Sequence, residues 1–179
     1  MEADKAESMA RLLVPTDTMG RRTHGLARCA SYLDEIARGT VTTAGEPEVL
    51  RDTGATPAWD GRYLPGLWLV ERAVALGLER LPEHGVVAVV PRRSHHIGCL
   101  AALAKGATDR GCIALLASSG PHGRIVAPFG GKGALFGPDP FAFGFPAGSL
   151  PVSGDISASI TTVSMTRQKA DAGEAFEHP

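Results

Sequence analysis

The sequence predicts a mixed α/β (α+β) fold, in which a mixed sheet is flanked by helices and preceded by a helical segment. Two apolar runs, at residues 86–90 and 112–117, are typical of short strands. The first of them, Val-Val-Ala-Val-Val, is typical of a strand buried on both faces. Residues 99–105 between them are rich in good helix formers. This order predicts a β-α-β unit with a parallel strand pair.

The other elements follow from apolar spacing and from chain breakers. Apolar residues three or four apart predict helices over residues 6–13, from 23 to a stop at Gly39, and over 66–80, with a break at Pro15. Strands are expected near Ala58 and over residues 141–145 and 153–157, and a last helix over 163–172. Between them lies a glycine- and proline-rich loop at residues 120–140, a length that is usually functional. We therefore divide the chain into an N-terminal helical segment, 1–40, and a partial mixed α/β domain, 41–179.

Composition excludes several classes of function. Hydrophobic residues make up 44% of the chain, charged residues 21%, and the net charge is −1, as in ordinary globular proteins. No basic face interleaved with aromatic residues predicts nucleic-acid binding, and no apolar run approaches the roughly 20 residues of a membrane span. Three cysteines without metal-binding spacing and the absence of a secretory signal pattern favour a reduced, cytoplasmic setting.

The sequence Ser-His-His-Ile-Gly at residues 94–98 is the best candidate for chemistry. It lies between a predicted strand and a predicted helix, where catalytic groups of α/β proteins gather. Imidazole is also the side chain best suited to move a proton near neutral pH. His95 and His96 are adjacent and therefore point in different directions, so they are poorly placed to bind one metal ion together. No metal site is predicted, although a hydrolase using His24, His96 and His122 stays open as a weaker alternative.

Two further segments allow both a functional and an ordinary interpretation. His24 and Arg28 are four residues apart on one predicted helix face, near its start, and could cradle a carboxylate or form a solvated face. The glycines at residues 130–133 suggest a nucleotide loop, but Phe136 occupies the third glycine position of the dinucleotide fingerprint. The phosphate-loop pattern fails as well. Turn-forming glycines without a ligand are the alternative.

Five segments together resemble the malate/L-lactate dehydrogenase family, which includes ureidoglycolate, sulfolactate and diketogulonate dehydrogenases and a reductase of cyclic imino acids. They occur in family order over almost the whole chain. Each segment is given below with the family pattern that it resembles in parentheses. The segments are Thr-His-Gly-Leu-Ala-Arg at 23–28 (Ser-His-Gly-x-x-Arg), Ser-His-His-Ile-Gly at 94–98 (Ser-Asn-His-x-Gly), Ala-Pro-Phe-Gly-Gly at 127–131 (Pro-Trp-Gly-Gly), Gly-Pro-Asp-Pro at 137–140 (Gly-Thr-Asn-Pro) and Asp-Ile-Ser-Ala-Ser at 155–159 (Asp-Met-Ala-Thr-Ser).

The resemblance implies an NAD- or NADP-dependent oxidoreductase of 2-hydroxy or 2-keto acids, with a fold that is not Rossmann, acting as a homodimer. By family pattern, His96 is the acid/base catalyst, and the substrate end is lined by His24, Arg28 and Tyr32. The residues implied in cofactor binding are Ser119, Gly120, Gly154, Asp155 and Ile156.

The chain also departs from the family pattern. Gly120 replaces a family serine that contacts the cofactor, and His95 replaces an asparagine. Family members are roughly twice as long, so the chain resembles a piece truncated at both ends. Reduction of a cyclic imine carboxylate by the same residues, and a non-catalytic remnant, are the alternative functions. No acidic residue distinguishes NAD from NADP, and Arg92 and Arg93 could favour a phosphate or be solvated loop charges.

Overall fold

The computed structural model of the chain describes residues 1–120, 123–148 and 150–175. Helices and strands are interspersed along these residues, so the predicted mixed α/β class is confirmed. The helices are α1 (Ala3–Thr18), α2 (Cys29–Ala37), α3 (Gly66–His84), α4 (Leu100–Thr108) and α5 (Val163–Ala172). The strands are β1 (Glu48–Arg51), β2 (Ala58–Asp60), β3 (Val90–Arg92), β4 (Ala114–Ala117), β5 (Phe141–Phe145) and β6 (Val152–Ile156). None of the helices in these ranges is long and apolar enough to cross a membrane.

The strands form two three-stranded sheets, in the orders β1-β2-β3 and β4-β5-β6. Among the described strands, β2 and β3 pair in parallel, and β5 is antiparallel to both of its neighbours. The predicted parallel pairing across α4 is therefore wrong, because β3 and β4 belong to different sheets. β3 pairs instead with β2, with Ala58 opposite Val90, and β4 pairs with β5.

The prediction of a strand buried on both faces at residues 86–90 is also wrong. Only Val90 of this run belongs to β3, and Val86 and Val90 are 78% and 59% exposed. Val89 packs against the cluster formed around Trp59 and Leu69, which covers one side of the run. The other side has no covering element among the described residues, so alternate side chains face outward.

The largest differences from the predicted helix boundaries are at the end of α1 and before α2. α1 does not break at Pro15 but continues to Thr18, and within it the buried Thr16 hydroxyl donates to the Leu12 carbonyl (2.8 Å). The segment after residue 21 begins as two short 3₁₀ turns, Arg22–His24 and Leu26–Arg28, before α2. His24 and Arg28 therefore do not share one helix face as predicted, since Gly25 separates their turns.

One core cluster is centred on Tyr32. This residue is 3% exposed and packs with residues from α1, α3 and α4. The buried members of the cluster are Met9, Leu13, Tyr32, Leu67 and Leu103. Because Tyr32 is held by three other helices, its hydroxyl has a fixed position at the edge of the core.

A buried carboxylate fixes the turn between β2 and α3. Asp60 is 1% exposed and accepts hydrogen bonds from the side chains of Arg92 and Arg93 and from the backbone of Arg62 (3.0 Å). The guanidinium of Arg93 is the main reason that the pKa of Asp60 lies below its ordinary value. These ion pairs connect the end of β2 to the chain that leads from β3 to the histidine pair.

Candidate active site

The histidine pair lies in the loop between β3 and α4, pressed against the start of α3. The His95 amide donates to the Leu64 carbonyl (3.1 Å), just before that helix begins. Gly66, the first residue of α3, has no room for a side chain, because a Cβ there would lie 2.5 Å from the His96 carbonyl oxygen. Gly98 ends the loop with φ +67°, a conformation that favours glycine. The sequence of the loop and the approach of α3 thus fix the backbone of His96.

Three of the predicted site residues converge on His96. The Tyr32 hydroxyl lies 2.7 Å from His96 Nδ1. The His24 ring stacks on the His96 ring, with centroids 5.8 Å apart and an angle of 20° between the planes. The Arg28 guanidinium lies over the Tyr32 ring, 5.3 Å from its centroid. Residues far apart in sequence therefore form one polar cluster at the edge of the core.

Arg28 carries a buried donor that the described residues leave unused. Its Nε atom is inaccessible to solvent and has no hydrogen-bond partner among them. A buried donor without an acceptor is unfavourable, and a guanidinium group can bind an anion through two parallel hydrogen bonds. Carboxylate and phosphate groups are the anions that match a guanidinium fork.

The electrostatics of the cluster keep its imidazoles neutral. Burial among protein atoms, together with the charge of Arg28 and with His24 and His95 nearby, lowers the pKa of His96 to about 3. Part of His96 is nevertheless exposed to solvent, and this contact with water weakens the effect of burial. Burial also lowers the pKa of His24, which Asp155 partly opposes. A neutral imidazole can accept a proton, as a general base must.

We expect the His96 ring to stay neutral as the pH falls from 7 to 5, because its pKa is depressed in the folded chain. In the unfolded chain, histidine side chains bind protons near pH 6.5, which lies within this pH range. Acidification therefore stabilises the unfolded chain relative to the folded one and also lowers Tm. Ring proton chemical shifts, followed by NMR as a function of pH, measure the first effect. The chain unfolded in urea is the reference, and a His96 midpoint at or above that reference would contradict the expectation.

The second histidine has a different partner. His95 Nε2 lies 3.0 Å from Glu35 Oε2, and the His95 ring meets the Tyr32 ring edge-on at 5.8 Å. Burial lowers the pKa of His95, and the Glu35 charge opposes that shift. Glu35 was not predicted as part of the site. Its position seven residues after Arg28 and three after Tyr32, on one side of the helix, is the signal that could have identified it.

The residues implied in cofactor binding lie at one end of the second sheet. Ser119 and Gly120 follow β4, and Gly154, Asp155 and Ile156 end β6. Because β5 is antiparallel to both strands, β4 and β6 point the same way and end in the same row. These two segments therefore come together at one edge.

Within this edge, Asp155 is the residue tied to the histidine cluster. Its carboxylate accepts a hydrogen bond from the Ala101 amide (3.0 Å), at the start of α4, and its charge acts on His24. Ser119 is exposed, and the space beside Gly120 is open, since a Cβ there would meet nothing within 4 Å. Gly154 lies under the Phe143 ring, with no room for a side chain.

Two alternative roles, metal binding and phosphate binding, depend on side chains in the described ranges. No group of three or more histidine, cysteine or acidic side chains in the described ranges could hold a metal ion, while His122 lies outside those ranges. Arg92 and Arg93 both pair with the buried Asp60 carboxylate at 3.2 and 2.8 Å. Both guanidinium groups therefore have a structural partner, and the one carboxylate balances only one of their two positive charges.

Comparisons with known proteins show which proteins the chain is similar to. A sequence model described as malate/L-lactate dehydrogenase matches residues 1–179. An L-lactate dehydrogenase of Cupriavidus necator is 31% identical over 96% of this chain and 50% of its own length. Hydroxycarboxylate dehydrogenase B of Escherichia coli is 29% identical over 93% of this chain and 46% of its own length.

Solved structures show the same relationship. The malate dehydrogenase from Entamoeba histolytica superposes with a TM-score of 0.91 at 25% identity, over 98% of this chain and 49% of that one. The Δ1-piperideine-2-carboxylate reductase from Pseudomonas syringae gives a TM-score of 0.81 at 25% identity, over 97% of this chain and 52% of that one. The chain thus spans about half the length of the relatives that it matches. It belongs to the malate/L-lactate dehydrogenase family.

Proposed function

We propose that the chain is an oxidoreductase, or part of one, that transfers a hydride between NAD or NADP and a 2-hydroxy acid or the corresponding 2-keto acid. The observation that carries the proposal is the convergence of Arg28, Tyr32 and His96. It places a neutral imidazole beside a guanidinium whose Nε has no partner among the described residues. A 2-hydroxy acid presents a carboxylate next to a hydroxyl group, which is the pattern that this pair of groups would recognise.

The chain's own residues account for binding and for proton transfer. Arg28 binds the substrate carboxylate, which orients the adjacent hydroxyl group toward His96. His96 Nε2 accepts the hydroxyl proton during oxidation and returns it to the carbonyl oxygen during reduction. The His24 ring is stacked on one side of His96. Asp155, on the sheet edge, is close enough for its charge to act on His24 and so links this cluster to that edge.

The edge of the second sheet is where a nicotinamide cofactor fits best. The exposed Ser119 hydroxyl and the open space at Gly120 leave room for a flat ring, and Gly154 and Ile156 would contact it from β6. When bound there, the cofactor would supply the hydride acceptor or donor, a chemistry that protein side chains lack. The choice between NAD and NADP stays open. One relative named (2R)-3-sulfolactate dehydrogenase carries NADP(+) in its name.

A second candidate function is the reduction of a cyclic imine carboxylate. The similarity to the Δ1-piperideine-2-carboxylate reductase favours it, and such a substrate also offers a carboxylate to Arg28. His96 would then have to be protonated at Nε2 first, so that the ring can pass that proton to the imine nitrogen and return to its neutral form. Assays with 2-keto acids and with cyclic imine carboxylates separate the two functions.

We further propose that the protein is a homodimer, because of the family resemblance. We propose a cytoplasmic location as well, because the three cysteines are free.

The test of the proposal is direct cofactor binding. NADH and NADPH are titrated separately into the chain while nucleotide and tryptophan fluorescence are followed, and binding of at least one is expected. The Ser119→Ala and Gly120→Ser variants should change the affinity, and Ser118→Ala, on the neighbouring residue, is the matched control. Failure of both nucleotides to bind at millimolar concentration would refute activity of this chain and leave the non-catalytic remnant as its function.

A further inference from the structure

His96 has two ring nitrogens, and the structure leaves only one of them for the substrate. Nδ1 lies 2.7 Å from the Tyr32 hydroxyl, whereas Nε2 has no hydrogen-bond partner in the described part of the chain. A neutral imidazole carries one hydrogen, on one of its two nitrogens. If Nε2 is to accept a proton, Nδ1 must carry that hydrogen and must donate it to an acceptor.

Tyr32 is the described side chain that lies within hydrogen-bond distance of Nδ1 and can accept from it. Arg28, His24 and His95 are the other titratable groups that act on His96, and the guanidinium offers only donors. The Tyr32 oxygen can accept a hydrogen bond while its own hydrogen points elsewhere. Burial raises the pKa of Tyr32, so the group is a neutral phenol near pH 7.

We infer that Tyr32 is a positioning residue, whose oxygen accepts a hydrogen bond from His96 Nδ1–H and so fixes the tautomer in which Nε2 is the proton acceptor. This assignment rests on the proposed function, because only a proton-accepting Nε2 requires a hydrogen on Nδ1, but the tautomer can be measured without any turnover. The same acceptor stays in place when Nε2 gains its proton, since Nδ1 carries a hydrogen in both states. In arrangements of a nucleophile and a base, a third group orients the base, and Tyr32 has this orienting role toward His96.

The packing of Tyr32 makes the hydroxyl separable from the ring. The ring fills the core cluster with Met9, Leu13, Leu67 and Leu103, and the His95 ring, itself paired with Glu35, lies against its edge. Tyr32→Phe keeps these apolar contacts and removes only the oxygen. Tyr63→Phe is the matched control, because Tyr63 is the second of the two tyrosines and lies exposed beside Arg93.

The experiment measures the His96 tautomer at pH 7 from the two imidazole nitrogen shifts in the ¹⁵N-labelled chain. The His96 signals are assigned by their loss in His96→Gln. We expect the Nδ1–H form in the wild type and in Tyr63→Phe, and a shift toward Nε2–H in Tyr32→Phe. An Nε2–H form in the wild type, or an unchanged ratio in Tyr32→Phe, would overturn the inference.

Kinetics then distinguish positioning from substrate binding. If the proposed function holds, Tyr32→Phe should lower kcat up to about 100-fold through a misplaced base. A rise in KM alone, with an unchanged tautomer, would make Tyr32 only a substrate ligand. The expected tautomers in a chain that turns over no hydroxy acid would support the positioning role and refute the proposed function alone.

Discussion

Replacement of His96 by alanine is expected to lower turnover of a 2-hydroxy acid by about 10²- to 10⁴-fold, the usual contribution of a general base. The affinity for NADH or NADPH should stay nearly the same, because the implied cofactor residues lie on β4 and β6. The fold should also survive, since His96 is partly exposed to solvent and is not part of the buried core clusters. Steady-state kinetics and fluorescence titration measure the two quantities.

His84→Ala is the control for this substitution. His84 ends α3, about 27 Å along the helix from Gly66, and contacts the turn at Gly54 rather than the histidine pair. Its removal should leave turnover unchanged. A His96→Ala variant with wild-type turnover would remove His96 from the acid/base role. Equal loss of turnover and cofactor affinity would point to disrupted folding, which a Tm measurement on the same sample detects.

The second large effect is expected from Gly66→Ala. The added Cβ would lie 2.5 Å from the His96 carbonyl oxygen and closer still to that of His95, and neither backbone atom can rotate away. The loop or the start of α3 must therefore move. We expect a loss of stability of about 1–3 kcal/mol, typical of overpacking. Displacement of His96 should also lower turnover, up to about 100-fold for a shift near 1 Å.

Gly77→Ala, on the same helix, is the comparison variant, and its expected change in stability has the opposite sign. A Cβ at Gly77 meets nothing within 4 Å. Because alanine loses less conformational entropy than glycine in a helix, this variant should gain about 0.5–1 kcal/mol and keep full turnover. Thermal unfolding and kinetics of the two variants test the packing of α3 against the loop. Similar behaviour of both variants would show that the close approach at Gly66 does not control the position of His96.

Individual helices and strands were predictable from the sequence where the pattern of neighbouring residues alone determines them. The spacing of apolar residues identified β5 and α5 with correct bounds and placed α4 within a few residues. Pro15 shows the limit of this reasoning. A proline favours a break, yet α1 continues through it, because Met9, Leu13 and Thr16 on either side are buried against the rest of the fold.

Strand pairing could not be obtained in the same way. The run at residues 86–90 has the composition of a buried strand, but burial depends on which elements cover it. Pairing partners come from distant parts of the chain, so β2 rather than β4 lies beside β3. The sequence order of strand, helix and strand favoured the opposite arrangement.

By itself, the sequence determined the mixed α/β class, the family and the choice of His24, Arg28, Tyr32 and His96 as candidate residues, because residue types and spacings are local properties. Only the tertiary structure decided that the Tyr32 hydroxyl meets His96 Nδ1, and that His95 pairs instead with Glu35. These contacts join positions more than 50 residues apart, and their geometry depends on how α1, α3 and α4 pack around the Tyr32 ring.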